Sequence, residues 1–183
     1  MVIANKVVSK NQKTYGSNQH ILEVHAKSKF ALAKGDRAHV EGQQSLGLGI
    51  ASHAEGLQTK AIGSYAHSEG MYSSATGFVS HAEGQGTTAS GSNSHAEGRE
   101  TIASGENSHA GGYKTEASAF AQTAIGKYNA NNANALLIVG AGSSDNDRKN
   151  AFEVISEDGI YSLKIGNTQL TETQLNKLLS LIS

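Results

Sequence analysis

The sequence has no cysteine, no proline and no tryptophan, and aromatic residues make up only 5% of its 183 positions. Without cysteine there is no disulfide framework and no thiolate metal site, and the redox compartment stays open. Large apolar side chains are sparse between residues 33 and 134. A globular core is therefore not expected there, and burial must come from close stacking of Ala, Ser and Gly backbones or from neighbouring chains. Net charge is −1, and Lys and Arg do not cluster, which argues against nucleic acid or an anionic membrane as partner. No stretch approaches the roughly 18 apolar residues that span a bilayer. No positive-then-apolar pattern opens the chain, so neither membrane insertion nor an export signal is expected.

What is present is regular. Histidines stand fourteen residues apart at His39, His53, His67, His81, His95 and His109. Each sits in a short block of one type, such as Ser80-His-Ala-Glu-Gly84 and Ser94-His-Ala-Glu-Gly98. The last block, Ser108-His-Ala-Gly-Gly112, lacks the glutamate. His25 keeps the phase one step earlier, and Gln122-Thr-Ala-Ile-Gly126 keeps it one step later without the histidine. A fixed period is the mark of a small unit stacking on itself. An active site normally occurs once, whereas this constellation recurs along most of the chain.

Each fourteen splits into two sevens: Ala82-Glu-Gly84 is echoed by Ala89-Ser-Gly91, and Ala96-Glu-Gly98 by Ala103-Ser-Gly105. A coiled coil is excluded, because glycine recurs every seven residues and no apolar seam exists; each glycine inside a helix costs about 1 kcal/mol. The pattern fits a strand of about four residues followed by a Gly-led turn of about three. Two strands make one coil of a narrow parallel β-solenoid. With coils about 4.8 Å apart, about seven coils give a rod of roughly 35 Å.

Strand alternation assigns faces. In Ser94-His95-Ala96-Glu97-Gly98 the His and Glu point one way and the small residues the other, into the coil. A second outer face carries Leu46/Leu48, Lys60/Ile62, Ser74/Thr76, Thr88/Ser90 and Ile102/Ser104 and varies from coil to coil. The His/Glu face hardly varies. A face held constant along one chain is expected to pack on something equally periodic, most simply another copy of the rod. The expected subunit-interface ladder is His39, Glu41, His53, Glu55, His67, Glu69, His81, Glu83, His95, Glu97 and His109. If packed, it should make assembly stability change between about pH 5 and 7.

Five segments follow. Residues 1–30 are a lead-in, with a capping strand at Ile21–Val24, and residues 31–128 are the repeat. Residues 129–134, Asn-Ala-Asn-Asn-Ala-Asn, are a linker. Residues 135–169 are a β segment with a buried strand at Ala135–Gly140 and a hairpin through Glu157-Asp-Gly159. Residues 170–183 hold a helix over 171–182, in which Thr171 and Gln174 form a capping box and Leu170 can staple onto Leu175. Leu175, Leu178, Leu179 and Ile182 fall on one face, and such a short helix needs partners, which sister chains could supply.

The Ser-x-Ala-x-Gly-x-x-Ser/Ala-x-Ala-x-Gly pattern of Ser80 to Gly98 resembles the head repeat of trimeric autotransporter adhesins, the YadA-type head. That resemblance implies a left-handed parallel β-roll with three rolls around an axis. In the family the alternating positions usually carry apolar residues; here His and Glu replace them, and Gln122–Gly126 is nearest the usual form. Residues Ile138 to Val154 resemble a junction common in tail fibres of phages and prophages, and Leu170 to Leu179 resembles the C-terminal helix of such fibres. The expected fold is thus all-β: a homotrimeric left-handed parallel β-roll of 14-residue coils, with a small C-terminal β-hairpin and a short α-helix. The implied role is structural and adhesive, in a phage tail fibre on the virion. Its partners would be other tail or fibre proteins and a host cell-surface receptor, with carbohydrate a candidate class. The alternative is the head of a trimeric autotransporter-type adhesin on a bacterial surface, which would need a signal peptide and a membrane barrel.

Sharper chemistry is weighed against this. Ser, His and Glu recur together, but a hydrolytic triad needs convergent geometry and an oxyanion hole, so no enzyme is expected. Imidazoles from adjacent coils or from three chains could converge on Zn or Ni, but a hydrogen-bonded His–Glu ladder setting register between subunits is favoured, and no metal or cofactor is assigned. Tyr65, Met71, Tyr72, Phe78 and Tyr113 fall at turns. Of these, Tyr65, Tyr72, Phe78 and Tyr113 are the candidate receptor contacts. Asp145, Asp147 and Asn150 do not meet the EF-hand spacing and read as a polar turn.

Overall fold

The computed structural model describes residues 25–27 and 30–181. The expected strand at Ile21–Val24 and the helix residue Ile182 lie outside them. The two halves of most fourteens form strands of unequal length. The long-strand sheet contains β1 (His25–Lys27), β3 (His39–Gln43), β5 (His53–Leu57), β7 (His67–Ser68), β9 (His81–Gln85), β11 (His95–Arg99), β13 (His109–Tyr113) and β15 (Thr123–Lys127). Between them run the two-residue strands β2 (Leu32–Ala33), β4 (Leu46–Gly47), β6 (Lys60–Ala61), β8 (Ser74–Ala75), β10 (Thr88–Ala89), β12 (Ile102–Ala103) and β14 (Glu116–Ala117). Each set pairs in parallel with its neighbours one coil away, His on His and Ala on Ala. The chain is a β-solenoid of fourteen-residue coils.

The core is narrow because only small side chains fit between the sheets. Ala82, Ala89, Ala96 and Ala103 are fully buried. Serines and threonines join them, since a buried hydroxyl is tolerable only with a partner. Ser80, Ser94 and Ser108 donate to the carbonyls of Gly77, Gly91 and Gly105 at 2.8, 2.7 and 2.7 Å. Thr101 and Thr115 donate to the carbonyls of Glu97 and Gly111 at 3.1 and 3.2 Å.

Each turn has a positive-φ residue at its third position that is mostly not glycine: Tyr65, Val79, Asn93 and Asn107 on one edge, and Gln58, Tyr72 and Glu100 on the other, where the turn-leading glycines such as Gly56 and Gly98 also have positive φ. Such a conformation costs roughly 1–2 kcal/mol per residue. It aims each amide at the coil below, as in Tyr65 N to Ile50 O at 2.7 Å and Asn107 N to Ser92 O at 2.8 Å. The glycines are also required by stacking. A methyl on Gly91 would collide with the carbonyl of Gly105, and one on Gly98 (φ +99°) with that of Gly112. Ala119 takes the place of Gly105 one coil on; the short-strand sheet ends at β14, so no further coil crowds it.

The long-strand sheet continues beyond the roll. Strand β16 (Ala135–Ala141) pairs in parallel with β15, and β17 (Asn150–Glu157), β18 (Ile160–Ile165) and β19 (Thr168–Thr171) follow antiparallel. The strand β19 pairs Leu170 with Leu163 and carries no strand signal in the sequence. Ile138 and Ile155 are the buried apolar pair here. Helix α1 (Glu172–Leu179) is shorter than the 171–182 expected. Thr171 is its N-cap, with Gln174 N donating to Thr171 Oγ1 at 3.4 Å and Thr171 N to Gln174 Oε1 at 2.9 Å. Among the described residues no helix is long and apolar enough to cross a membrane.

The open end of the short-strand sheet is closed by side chains of the connecting segment 129–134. Asn129 mimics the missing strand: its Oδ1 accepts from Glu116 N at 2.7 Å and its Nδ2 donates to Glu116 O at 2.9 Å. Buried Gln122 plugs the last coil, donating to the carbonyls of Asn132 and Ala135 at 2.8 and 2.7 Å. Asn132 Nδ2 donates to buried Glu153 at 2.6 Å, and Lys164 Nζ does so at 2.9 Å. Burial would raise the Glu153 carboxyl, but the hydrogen bonds from Asn132, Lys164 and Asn150, with the Lys164 charge, hold it below its usual range.

Candidate functional site

The in-register pairing turns one repeated side chain into a column. Residues two apart on a strand share a face, so each long strand presents His and Glu outward. The imidazoles stack: His53–His67, His67–His81, His81–His95 and His95–His109 have centroids 4.7, 4.7, 4.8 and 5.0 Å apart and planes within 9° of parallel. At the start of the column His39 and His53 are 5.0 Å apart and tilted by 49°.

From Glu69 onward the glutamates bond along the column, from one coil to the histidine of the next, while the Nε2 atoms of His53 and His67 lie buried without a hydrogen-bond partner. His81 Nε2 lies 3.3 Å from Glu69, His95 Nε2 lies 3.1 Å from Glu83, and His109 Nε2 lies 3.2 Å from Glu97. This i,i+12 rule explains both irregular ends. A glutamate at 111 would look for a histidine at 123, which is Thr123, and position 111 is glycine. No glutamate precedes His39 at position 27, which is lysine, and His39 bonds its own strand's Glu41 at 2.8 Å. At His67 the rung is long, with Glu55 at 3.9 Å.

Burial lowers the His53 pKa; the neighbouring charges of His67 and His39 add to this, and Glu55 and Glu41 oppose it. For Glu69 burial acts upward, but hydrogen bonds with Glu55 and His81 and the charges of His67 and His81 hold the carboxyl below its usual range. The ladder side chains from His67 to His109 keep roughly 33–45% of their surface exposed in the single chain. Beyond it the same face turns apolar, with Thr123 and Ile125 in register with Leu137 and Val139. That apolar continuation was not singled out in the sequence, although the alternation on β15 and β16 carries the signal.

The serines that precede the histidines lie inside the roll, with Ser80, Ser94 and Ser108 bonded to turn carbonyls, while the imidazoles lie outside. Among the described residues no Ser–His–Glu triad is assembled. The turn aromatics divide between two edges. Tyr65 and Phe78 share one edge and pack edge-to-face at 5.7 Å, both more than half exposed. Tyr72 and Tyr113 belong to the other edge. Tyr113 packs edge-to-face on Tyr128 at 5.1 Å, with Arg99 5.4 Å from its ring. Tyr113 thus belongs to a junction that sequence reasoning missed. There Lys114 bonds Asp145 at 2.6 Å, and Arg148 reaches Asp145 at 2.8 Å and Glu116 at 2.9 Å. Lys114 and Arg148 hold the Asp145 carboxyl below its usual range. Asp147 is taken by Lys149 and Ser143, and Asn150 by the backbone of Ala130, so this turn is held by its own partners. On α1, Leu175 is half-buried, whereas Leu178 and Leu179 are 49% and 60% exposed.

Residues 82–108 match the YadA head domain repeat, in two copies. No curated protein matches the chain. The matched stretch covers the coils in which the ladder is most regular. The likeness supports an adhesin-like, surface-exposed protein built on a structural scaffold.

Proposed function

We propose that three copies of this chain associate along the long-strand sheet into a rigid rod. The rod forms part of a phage or prophage tail fibre and presents a host-receptor-binding surface. One observation carries this reading: a sheet face with the same two side chains coil after coil stays about one-third exposed, then runs without a break into Ile125, Leu137 and Val139. An identical rod is the partner whose period matches this face, and the apolar side chains at its end add surface that such a partner would cover. The exposed leucines of α1 fit association at the C-terminal end, where a helix of eight residues is marginal alone. The Tyr65/Phe78 edge, carried on rigid turns, is the favoured receptor contact.

A second reading is the head of a bacterial surface adhesin, with which the YadA head repeat match at 82–108 is equally compatible. Immunogold labelling with an antibody against the roll separates the two. Label on the tails of purified phage particles is expected. Label confined to the bacterial envelope would replace the fibre reading with the adhesin one. Alanine at Tyr65 and Phe78 is expected to reduce adsorption to host cells, and unchanged adsorption would remove that edge as the contact.

A further inference from the structure

We infer that the ladder binds one divalent transition-metal ion per chain, of the Zn²⁺ or Ni²⁺ class, at His67, Glu69 and His81. One donor atom from each of these residues lies within 4.8 Å of the others, and the same frame recurs at His81, Glu83 and His95. Two imidazoles and a carboxylate are the donor set that such borderline ions prefer, and three protein ligands leave a position for water.

The rest of the column explains why the centre is favoured. Toward the start, the His39–His53 pair is tilted by 49°. Toward the end, the spacing opens to 5.0 Å and position 111 has no carboxylate. Within the central frame, the His67 Nε2 is buried without a hydrogen-bond partner, its nearest carboxylate being Glu55 at 3.9 Å; the His53 Nε2 shares that state but lies in no such three-donor frame. With the proton on Nδ1, that nitrogen offers a lone pair to a cation. Neither column holds a Lys or Arg between His39 and His109.

Binding requires the rings to tilt. Metal–nitrogen bonds of about 2.0–2.1 Å bring two tetrahedral donors to roughly 3.4 Å, closer than parallel rings with centroids 4.7 Å apart. The tilted His39–His53 pair shows that the same column accommodates such a rotation on the same backbone register. His81 belongs to both frames, and one nitrogen lone pair serves one ion, so the two frames exclude each other. The geometry belongs to a single chain, and its failure would leave the proposed rod untouched.

The test is equilibrium dialysis of the untagged full chain against Zn²⁺ and, separately, Ni²⁺, with metal content measured by atomic emission. About one ion per chain is expected. His81→Gln removes the residue common to both frames and should weaken binding by roughly tenfold or more, whereas His39→Gln, outside both, should not change it. If His81→Gln fails to keep the β signal in circular dichroism, Glu69→Gln with Glu83→Gln tests the same frames while preserving side-chain shape. No saturable binding by the unaltered chain, equal binding by the frame variants, or one ion per three chains would each overturn the assignment.

Discussion

The roll and the C-terminal module share one continuous sheet but are held together by different means. In the roll the buried side chains are mostly Ala, Ser and Thr, and cohesion comes from backbones stacked at coil spacing, with many of the buried hydroxyls bonded to turn carbonyls or to one another. In the C-terminal module the core is Ile138 and Ile155, with Glu153 and Ser162 buried beside them, while Ile160, Ile165, Leu178 and Leu179 stay exposed. The roll thus completes its interior within one chain; it leaves a periodic polar face open, and its exposed apolar side chains, such as Ile62 and Phe78, lie on its other face and its turns. The module has only a small buried core and leaves much of its apolar surface exposed.

The largest effect should come from crowding the stacked backbones. Gly98→Val places a branched side chain at φ +99° against the Gly112 carbonyl; overpacking and backbone strain together should cost about 3–5 kcal/mol. Gly159→Ala, with nothing within 4 Å of the added methyl, should cost about 1 kcal/mol from the left-handed backbone alone. Thermal melts of the two variants test this, and equal losses would contradict the stacking role. Next, Leu178→Asp with Leu179→Asp should remove about 1.5–3 kcal/mol of burial per leucine from the assembly while leaving the roll's circular dichroism unchanged. A mass in solution unaffected by the double change would show that the helix does not hold the chains together.

Smaller again, Asn129→Ala removes both hydrogen bonds that close the edge at Glu116 and should cost about 1–3 kcal/mol. Hydrogen exchange should show it as faster opening of β14, with β10 unaffected. The smallest effect is one of pH. The His53 pKa is lowered in the folded chain by burial and by His67 and His39, against Glu55 and Glu41. The unfolded state then binds more protons, so stability rises with pH across the window. The His53 contribution is complete above the usual imidazole value of 6.5 and is lost as pH falls through it toward the lower folded value. Melting temperature in a chelating buffer should therefore decline below about pH 6.5, and less so in His53→Gln. A profile identical in the two proteins would sink the assignment to His53.

Much of this architecture was legible because it is periodic. Fourteen-residue spacing put His on His and Ala on Ala, strand alternation sorted His95 and Glu97 from Ser94 and Ala96, and Thr171 with Gln174 marked the helix start. What escaped depends on contacts that no local window contains. Gly91 is needed because of Gly105, a full coil away. The strained turn residues are Tyr65, Tyr72 and Val79, where composition points to the neighbouring glycines. The equal strands expected for each half-coil became five and two residues in most coils, because there the His-bearing half pairs through its turn-leading glycine; the His67 coil keeps two short strands. Asn129 is polar and sits in a stretch with no pattern, yet its amide replaces a strand. The ladder's rule is a relation across twelve residues, visible in hindsight from Gly111 standing where Thr123 replaces the next histidine.

The central claim is that the ladder face lies between copies of this chain. Its most direct test is mass in solution by light scattering on a sizing column. The account predicts about three times the chain mass of 19.0 kDa, eluting early as an elongated particle. A compact particle of a single chain mass would contradict it and make the His/Glu column a solvent face.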